Sequence, residues 1–284
     1  RCWAVRHLQP PQFPAASEVL PKIRKAKLAR HLGTICVCDA SDVVGAGGTG
    51  ENTSFLKTLL QEGNDLVAYV PIRDAQAVKE LWEQPTGSDI QMTVGGKLQP
   101  DYNEPVSLTG KLINKRLTDH FGKAVVVKVE NTHVVITEFA PLAMHPRFYR
   151  DVGLNPWKAD LVVVKSFFPF HIYFWKEKRR SFYVKTKGIT DFDAILNLEL
   201  KRPVHPISPV EDWRPTDRQR RGIQEENLPV KTVPLQKDSL GKNIFSLGIW
   251  LLGIWGVSAL TKSKLNSHKT KVMQEEIKRK RNDQ

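Results

Sequence analysis

The chain has 284 residues, with 43 Lys+Arg against 30 Asp+Glu for a formal net charge of +13, and is 40% hydrophobic and 26% charged. These figures exclude wholesale disorder, collagen-like or low-complexity architecture, and a polytopic membrane protein. The charge is unevenly placed: residues 1–30 carry seven basic side chains and one acidic (Glu18), residues 261–284 carry eight and three, and the stretch between is nearly neutral.

Residues 1–30 are expected to form a basic N-terminal arm. The chain begins with Arg, and Arg, Lys, Pro and Ala accompany a single carboxylate, a composition shared by the mature side of organelle-imported proteins and by plain basic tails. The run Lys22–Arg30 lacks interleaved aromatic residues for base stacking, so nucleic acid is not expected as a partner.

An α/β domain is expected over residues 31–213. Gly33–Asp39 reads as a buried strand whose alternation puts Cys36 and Cys38 on one face. Three cysteines are too few for a disulfide framework, and without a second pair or a nearby His-x-His they read as buried strand residues. Ser54–Glu62 reads as a helix with Phe55, Leu56, Leu59 and Leu60 on one side, Asp65–Pro71 as a strand and Ala75–Glu83 as a helix. Strands follow at Ile90–Val94, Val106–Ile113, Ala124–Glu130, Val134–Glu138, Asp160–Val164 and Ser181–Lys185, with a hairpin at Asn131-Thr132-His133. Alternation early and strand-rich spacing late predict a layered α/β sandwich with a mixed sheet.

The sharpest local signal is the loop Asp39–Thr53. Gly45, Gly47, Gly48 and Gly50 could let backbone N–H groups converge on an anion, which makes them the candidate cofactor-binding residues. Gly45, Gly47 and Gly50 fit G-x-G-x-x-G, with Asp74 where a ribose-binding acid would stand. Against a dinucleotide, Ala40–Val44 separate strand from glycine, Glu51 sits where pyrophosphate would lie, and Glu51-Asn52 replaces the Walker Lys-Ser/Thr. A glycine-rich turn capped by Asn52, Thr53 or Ser54 is the leading expectation. Asp39, Asp42 and Glu51 could gather a divalent cation, although acidic loop residues are more often caps and turn formers.

No two of the eight histidines stand two to five residues apart and no G-x-S-x-G elbow occurs, so no catalytic residue, metal or cofactor is expected. Phe167–Trp175 supplies six aromatics just before Lys176, Lys178, Arg179 and Arg180. This stretch fits a docking surface with a charged rim, a stacking platform for phosphate-bearing ligands, or a core strand ending in a solvated hairpin.

Residues 214–242 read as a linker. Residues 243–260 contain no charge and lie between Lys242 and Lys262. As a helix they would be about 27 Å long, enough to cross a hydrocarbon core of ~30 Å once if the lysines snorkel. Trp250 and Trp255 fall inside that run, and Gly253, Gly256 and Ala259 would line one side as a contact for another membrane helix. The basic tail, residues 261–284, suits anionic phospholipid or an acidic partner.

Taken in order, Asp39-x-x-Asp42 with Gly45-Ala-Gly-Gly-Thr-Gly50-Glu-Asn-Thr53, Gly95-Gly96-Lys97, Val134-Val135-Ile136-Thr137, Phe148–Pro156, Leu161–Ser166 and Arg202–Ile207 resemble the C-terminal domain of the MlrC-like (microcystinase C) peptidase family. The resemblance implies that fold. It also implies that zinc ligands belong to a larger N-terminal domain, whereas some thirty residues precede the first strand here. Where the family shows a histidine and an arginine after lysine-serine, this chain has Phe167–Ile172, and Val43 stands where an asparagine is usual.

The expectation is therefore a non-catalytic accessory subunit of a respiratory-chain or ATP-synthase assembly. It would be held by a single pass in the mitochondrial inner membrane and contact other subunits of that complex. The alternatives are a membrane-anchored part of a split metal-dependent hydrolase and an RNA-associated organellar protein.

Overall fold

The computed structural model describes residues 8, 11–200, 204 and 212–222. Residues Arg1–Asp212 and Trp213–Gln284 form separate compact units. In the second, the described residues hold one helix, Arg214–Arg221, which ends on Gly222 in the left-handed conformation.

The first unit is built on one eight-stranded sheet: β1 (Thr34–Asp39), β2 (Ala68–Arg73), β3 (Asp89–Val94), β4 (Val106–Thr118), β5 (Gly122–Val129), β6 (Thr132–Thr137), β7 (Leu161–Val164) and β8 (Lys178–Val184). Their order is β3-β4-β5-β6-β2-β7-β1-β8. Strands β6, β2, β7, β1 and β8 run parallel, and β3, β4 and β5 extend β6 as an antiparallel meander. The predicted mixed α/β sheet is what forms.

Two apolar layers enclose the parallel strands. On one face Ile35, Val37, Val70, Ile72 and Val163 meet helices α1 (Ala16–Lys25), α3 (Ser54–Glu62) and α4 (Ala75–Glu83). On the other, Cys36, Cys38, Tyr69, Val162 and Val164 meet α5 (Pro146–Asp151) and α6 (Phe170–Tyr173), which bury Phe148, Tyr149 and Phe170. Cys36 and Cys38 share this face, as alternation requires, and burial pushes both thiols far above their usual range.

Part of the stretch expected as a basic arm is helical. Ala16–Lys25 is an amphipathic helix whose Val19, Leu20 and Ile23 are fully buried, followed by the short helix α2 (Lys27–His31). Each such side chain contributes about 1.5–3 kcal/mol when buried, which fixes the helix to the core despite its basic outer face. Arg24 bonds the Asp65 carboxylate at 2.9 and 2.7 Å, and Arg30 bonds Asp160 at 2.7 Å. Basic composition here describes the solvent side of a core helix.

Pro71 lies inside β2, where a missing N–H would normally be costly. Pairing between β2 and β7 is confined to Ala68 and Tyr69, so the ladder on that side has already ended at Pro71. The membrane expectation, with Lys242, Trp250, Gly253, Trp255, Gly256, Ala259 and Lys262, lies outside the described residues. Among the described residues no helix is long and apolar enough to cross a membrane.

Candidate functional site

The loop from Ala40 to Thr53 joins the C-terminal end of β1 to α3, above the parallel strands. In open α/β sheets this is the end at which ligands are held. Asp42 turns back into its own loop: Oδ1 accepts the Gly50 N–H at 2.9 Å, and Oδ2 accepts the Asn52 N–H at 3.0 Å and the Lys165 ammonium at 2.6 Å. Gly47 and Gly48 donate to the Val44 and Val43 carbonyls. The candidate anion loop thus has the N–H groups of Gly47, Gly48 and Gly50 engaged by internal acceptors, that of Gly50 by the Asp42 carboxylate.

The geometry around the glycines follows from that closure. Gly50 has φ +80°, and a Cβ there would lie 2.5 Å from Pro141 Cδ, while one at Gly48 would lie 2.7 Å from the Asp42 carboxylate. At Gly45 a Cβ would meet nothing within 4 Å.

Asp39 is also buried. Its Oδ1 accepts the Ser41 N–H at 3.2 Å and the Thr186 hydroxyl at 2.8 Å. Ser41 Oγ donates to the Thr186 carbonyl and accepts the Thr186 N–H, which fastens the loop to the chain beyond β8. Burial pushes the Asp39 carboxyl up to about 6 against the pull of Lys165. At Asp42 burial acts in the same direction, but Lys165 and the two backbone donors outweigh it and hold that carboxyl below the usual range.

Glu51, considered with Asp39 and Asp42 as a cation group, points elsewhere. Its carboxylate accepts the N–H groups of Lys97 (2.9 Å), Leu98 (2.9 Å) and Gln99 (2.6 Å), with Asn103 Nδ2 at 3.3 Å. Asp74, considered as a ribose ligand, caps α4 by accepting the Ala77 N–H, and also binds the Gly95 N–H and the Lys97 ammonium. Asn52 does serve the turn: its Oδ1 accepts the Ser54 N–H at 2.8 Å. These acids are committed one by one to internal partners, and among the described residues no group of three His, Cys, Asp or Glu could hold a metal. The donor set present does not fit a catalytic zinc site.

Lys165 and Thr186 were not singled out as site residues from the sequence, and nothing local could have done so. They lie 123 and 147 positions from the aspartates they serve. A cavity of about 190 Å³ opens beside this cluster, lined by Phe13, Ala40, Ser41, Lys185, Phe192 and Asp193. A larger one of about 460 Å³ lies between Phe121, Leu142, Met144, His145 and Phe148.

The profile described as "MlrC C-terminus" matches residues 37–201, more than half of the chain and the whole of the loop just described. The chain belongs to the MlrC C-terminal family. It is 28% identical over 200 residues to "Microcystinase C" of a Sphingomonas species, a match that covers 66% of this chain and 38% of that protein. Its fold is similar to a crystal structure titled "Putative metallopeptidase" from Mesorhizobium sp. BNC1, with a TM-score of 0.64 and 23% identity over 74% of this chain and 44% of the other. The chain therefore spans less than half the length of the relatives it matches.

These likenesses overturn the expected role as an accessory subunit of a mitochondrial respiratory-chain or ATP-synthase complex. The relatives are peptidases by name, and nothing in the fold or the comparisons points to such a complex. That expectation leaned partly on basic extensions, and part of the N-terminal one is a core helix.

Proposed function

We propose that this chain supplies the half of an MlrC-type, peptidase-related assembly that does not hold the catalytic metal. The reading rests chiefly on the commitment of Asp42, Glu51 and Asp74 to Lys165, Lys97 and backbone donors at the end of the sheet where a ligand would be held. Carboxylates used in this way stiffen a loop and leave few lone pairs for a cation. The likeness to the C-terminal part of the MlrC family supports the same division of labour.

On this reading the loop is a rigid wall, braced by the Asp42–Lys165 pair and the Ser41–Thr186 bonds, against which a metal-bearing domain completes a site for a peptide. That domain lies elsewhere in the same protein or in a second chain. The test is peptide hydrolysis by the full chain supplied with zinc or manganese, and then by the same chain recovered with its associated proteins from cells. Turnover is expected only in the second case and in fractions that contain a metal-bearing partner. Peptide cleavage by the purified chain alone would overturn the assignment.

A further inference from the structure

The segment after β7 leaves an apolar ridge in solvent. Phe170 and Phe174 are fully buried, whereas Phe168, Ile172 and Trp175 are 63%, 60% and 66% exposed. Ile172 lies on α6, Phe168 just before it and Trp175 in the turn just after it. Tyr173, 43% exposed, extends the ridge toward His145, whose ring is 5.0 Å away. Trp157, 45% exposed, continues it through Arg179, whose guanidinium stacks 5.2 Å from the indole and whose Nη1 donates to the Lys176 carbonyl. Lys176 in turn lies 5.2 Å over the Trp175 ring.

The charge around the ridge has one sign. Lys158, Lys176, Arg179 and Arg180 are exposed and have no carboxylate partner among the described residues. The nearby acids Asp151 and Glu177 are taken by Arg147 and Arg150. Cations set over tryptophan, beside an aliphatic and a phenyl group left in water, are the combination that matches a bilayer interface. Indole and tyrosine rings settle at headgroup depth, apolar tips enter the acyl boundary, and lysine and arginine meet lipid phosphates. A nucleic-acid platform would need open ring faces in a groove. Here Arg179 and Lys176 already sit over the two indoles, and neither Trp157 nor Trp175 lines the cavities of about 190, 460 and 700 Å³.

We infer that the Phe168–Ile172–Trp175 ridge, with Trp157 and its rim of Lys158, Lys176, Arg179 and Arg180, docks the domain onto an anionic phospholipid surface. This inference is independent of where the catalytic metal resides. It assigns an orientation: the face carrying α5 and α6 lies toward the lipid, and the face carrying α1, α3 and α4 lies away from it.

Because residues 243–260 form an uncharged run of their own in the sequence, the test reads the ridge locally in the full chain. With Cys2→Ser in place and Cys36 and Cys38 buried, a polarity-sensitive fluorophore is attached at Ile172→Cys, or at Leu117→Cys on the exposed end of β4 as a control. With vesicles containing phosphatidylglycerol, the label at 172 is expected to shift to the blue and to be quenched by spin-labelled lipid, while the label at 117 stays in water. Replacing Lys176 and Arg179 by Gln is expected to lower the docked-to-undocked ratio about thirty-fold, given ~1 kcal/mol per basic residue near an anionic surface. A label at 172 that is unaffected by these vesicles, or equally quenched in pure phosphatidylcholine, overturns the inference. So does a label shielded in vesicle-free solution by an added partner protein or by RNA.

Discussion

Lys165 and Asp42 form a buried ion pair, with Nζ 2.6 Å from Oδ2 and the two side chains 1% and 3% exposed. It ties the loop after β1 to the end of β7, so the loop's shape depends on a residue far away in sequence. Removing one member of such a pair leaves an uncompensated buried charge, which costs about 3–5 kcal/mol, whereas replacing both by apolar or neutral groups of similar size is close to neutral. Lys165→Met is therefore expected to lose several kcal/mol in urea unfolding, and Lys165→Met with Asp42→Asn to recover much of it. Equal losses in the single and double variants would show that the pair does not brace the loop.

Asp39 gives the pair a pH signature. Its carboxyl is raised in the fold from 3.8 to about 6, chiefly by burial. The folded state then binds the proton more tightly than the unfolded one, so this group lowers stability as pH climbs from about 4 to 6, and the full penalty is present above that window. Asn keeps an oxygen for the Ser41 N–H and the Thr186 hydroxyl. Asp39→Asn is expected to stabilise the protein at pH 7–8 and to show no gain below pH 4. Thermal unfolding across that range checks it, and a gain independent of pH would show that ionisation is not the cause.

The glycine loop separates two uses of glycine. At Gly50 the left-handed backbone and the contact with Pro141 both oppose a side chain, so Gly50→Ala is expected to cost more than the ~1–2 kcal/mol of the backbone penalty alone. At Gly45 there is open space and no such backbone, so Gly45→Ala is expected to be neutral or to stabilise by about 0.4–1 kcal/mol through the unfolded chain. Denaturation midpoints of the two variants suffice. A Gly45→Ala variant of unchanged stability that loses a bound anion would restore the loop as a ligand site.

Ile23 tests whether the N-terminal helix belongs to the core. It is fully buried among the residues that pack on the sheet, so Ile23→Ala is expected to lose about 2–5 kcal/mol. An unchanged unfolding curve would return that helix to the status of an arm.

The strands and helices with strong periodicity were legible from sequence: α3 and α4 run Ser54–Glu62 and Ala75–Glu83, the bounds read from their apolar faces. Alternation in Cys36 and Cys38 also placed both thiols correctly. The helix Ala16–Lys25 was missed because Pro21 and five basic residues between Lys22 and Arg30 masked the spacing of Val19, Leu20 and Ile23. Glycine spacing located the loop but could not reveal that Asp42 accepts the Gly50 N–H, since the counter-charge, Lys165, arrives from another strand. The preference for turn formers over a shared cation group at Asp39, Asp42 and Glu51 agrees with their separate backbone partners, which sequence could not name. The aromatic run Phe167–Trp175 was read with three uses open. Its split into buried Phe170 and Phe174 and exposed Phe168, Ile172 and Trp175 required the fold.

The most direct test of the proposed division of labour is the metal content of the purified full chain after dialysis, measured by inductively coupled plasma mass spectrometry. Without its metal-bearing counterpart the chain is expected to retain zinc and manganese far below one ion per molecule. One tightly held ion per chain, lost on Asp42→Asn or Glu51→Gln, would contradict the reading and place the catalytic metal in this domain.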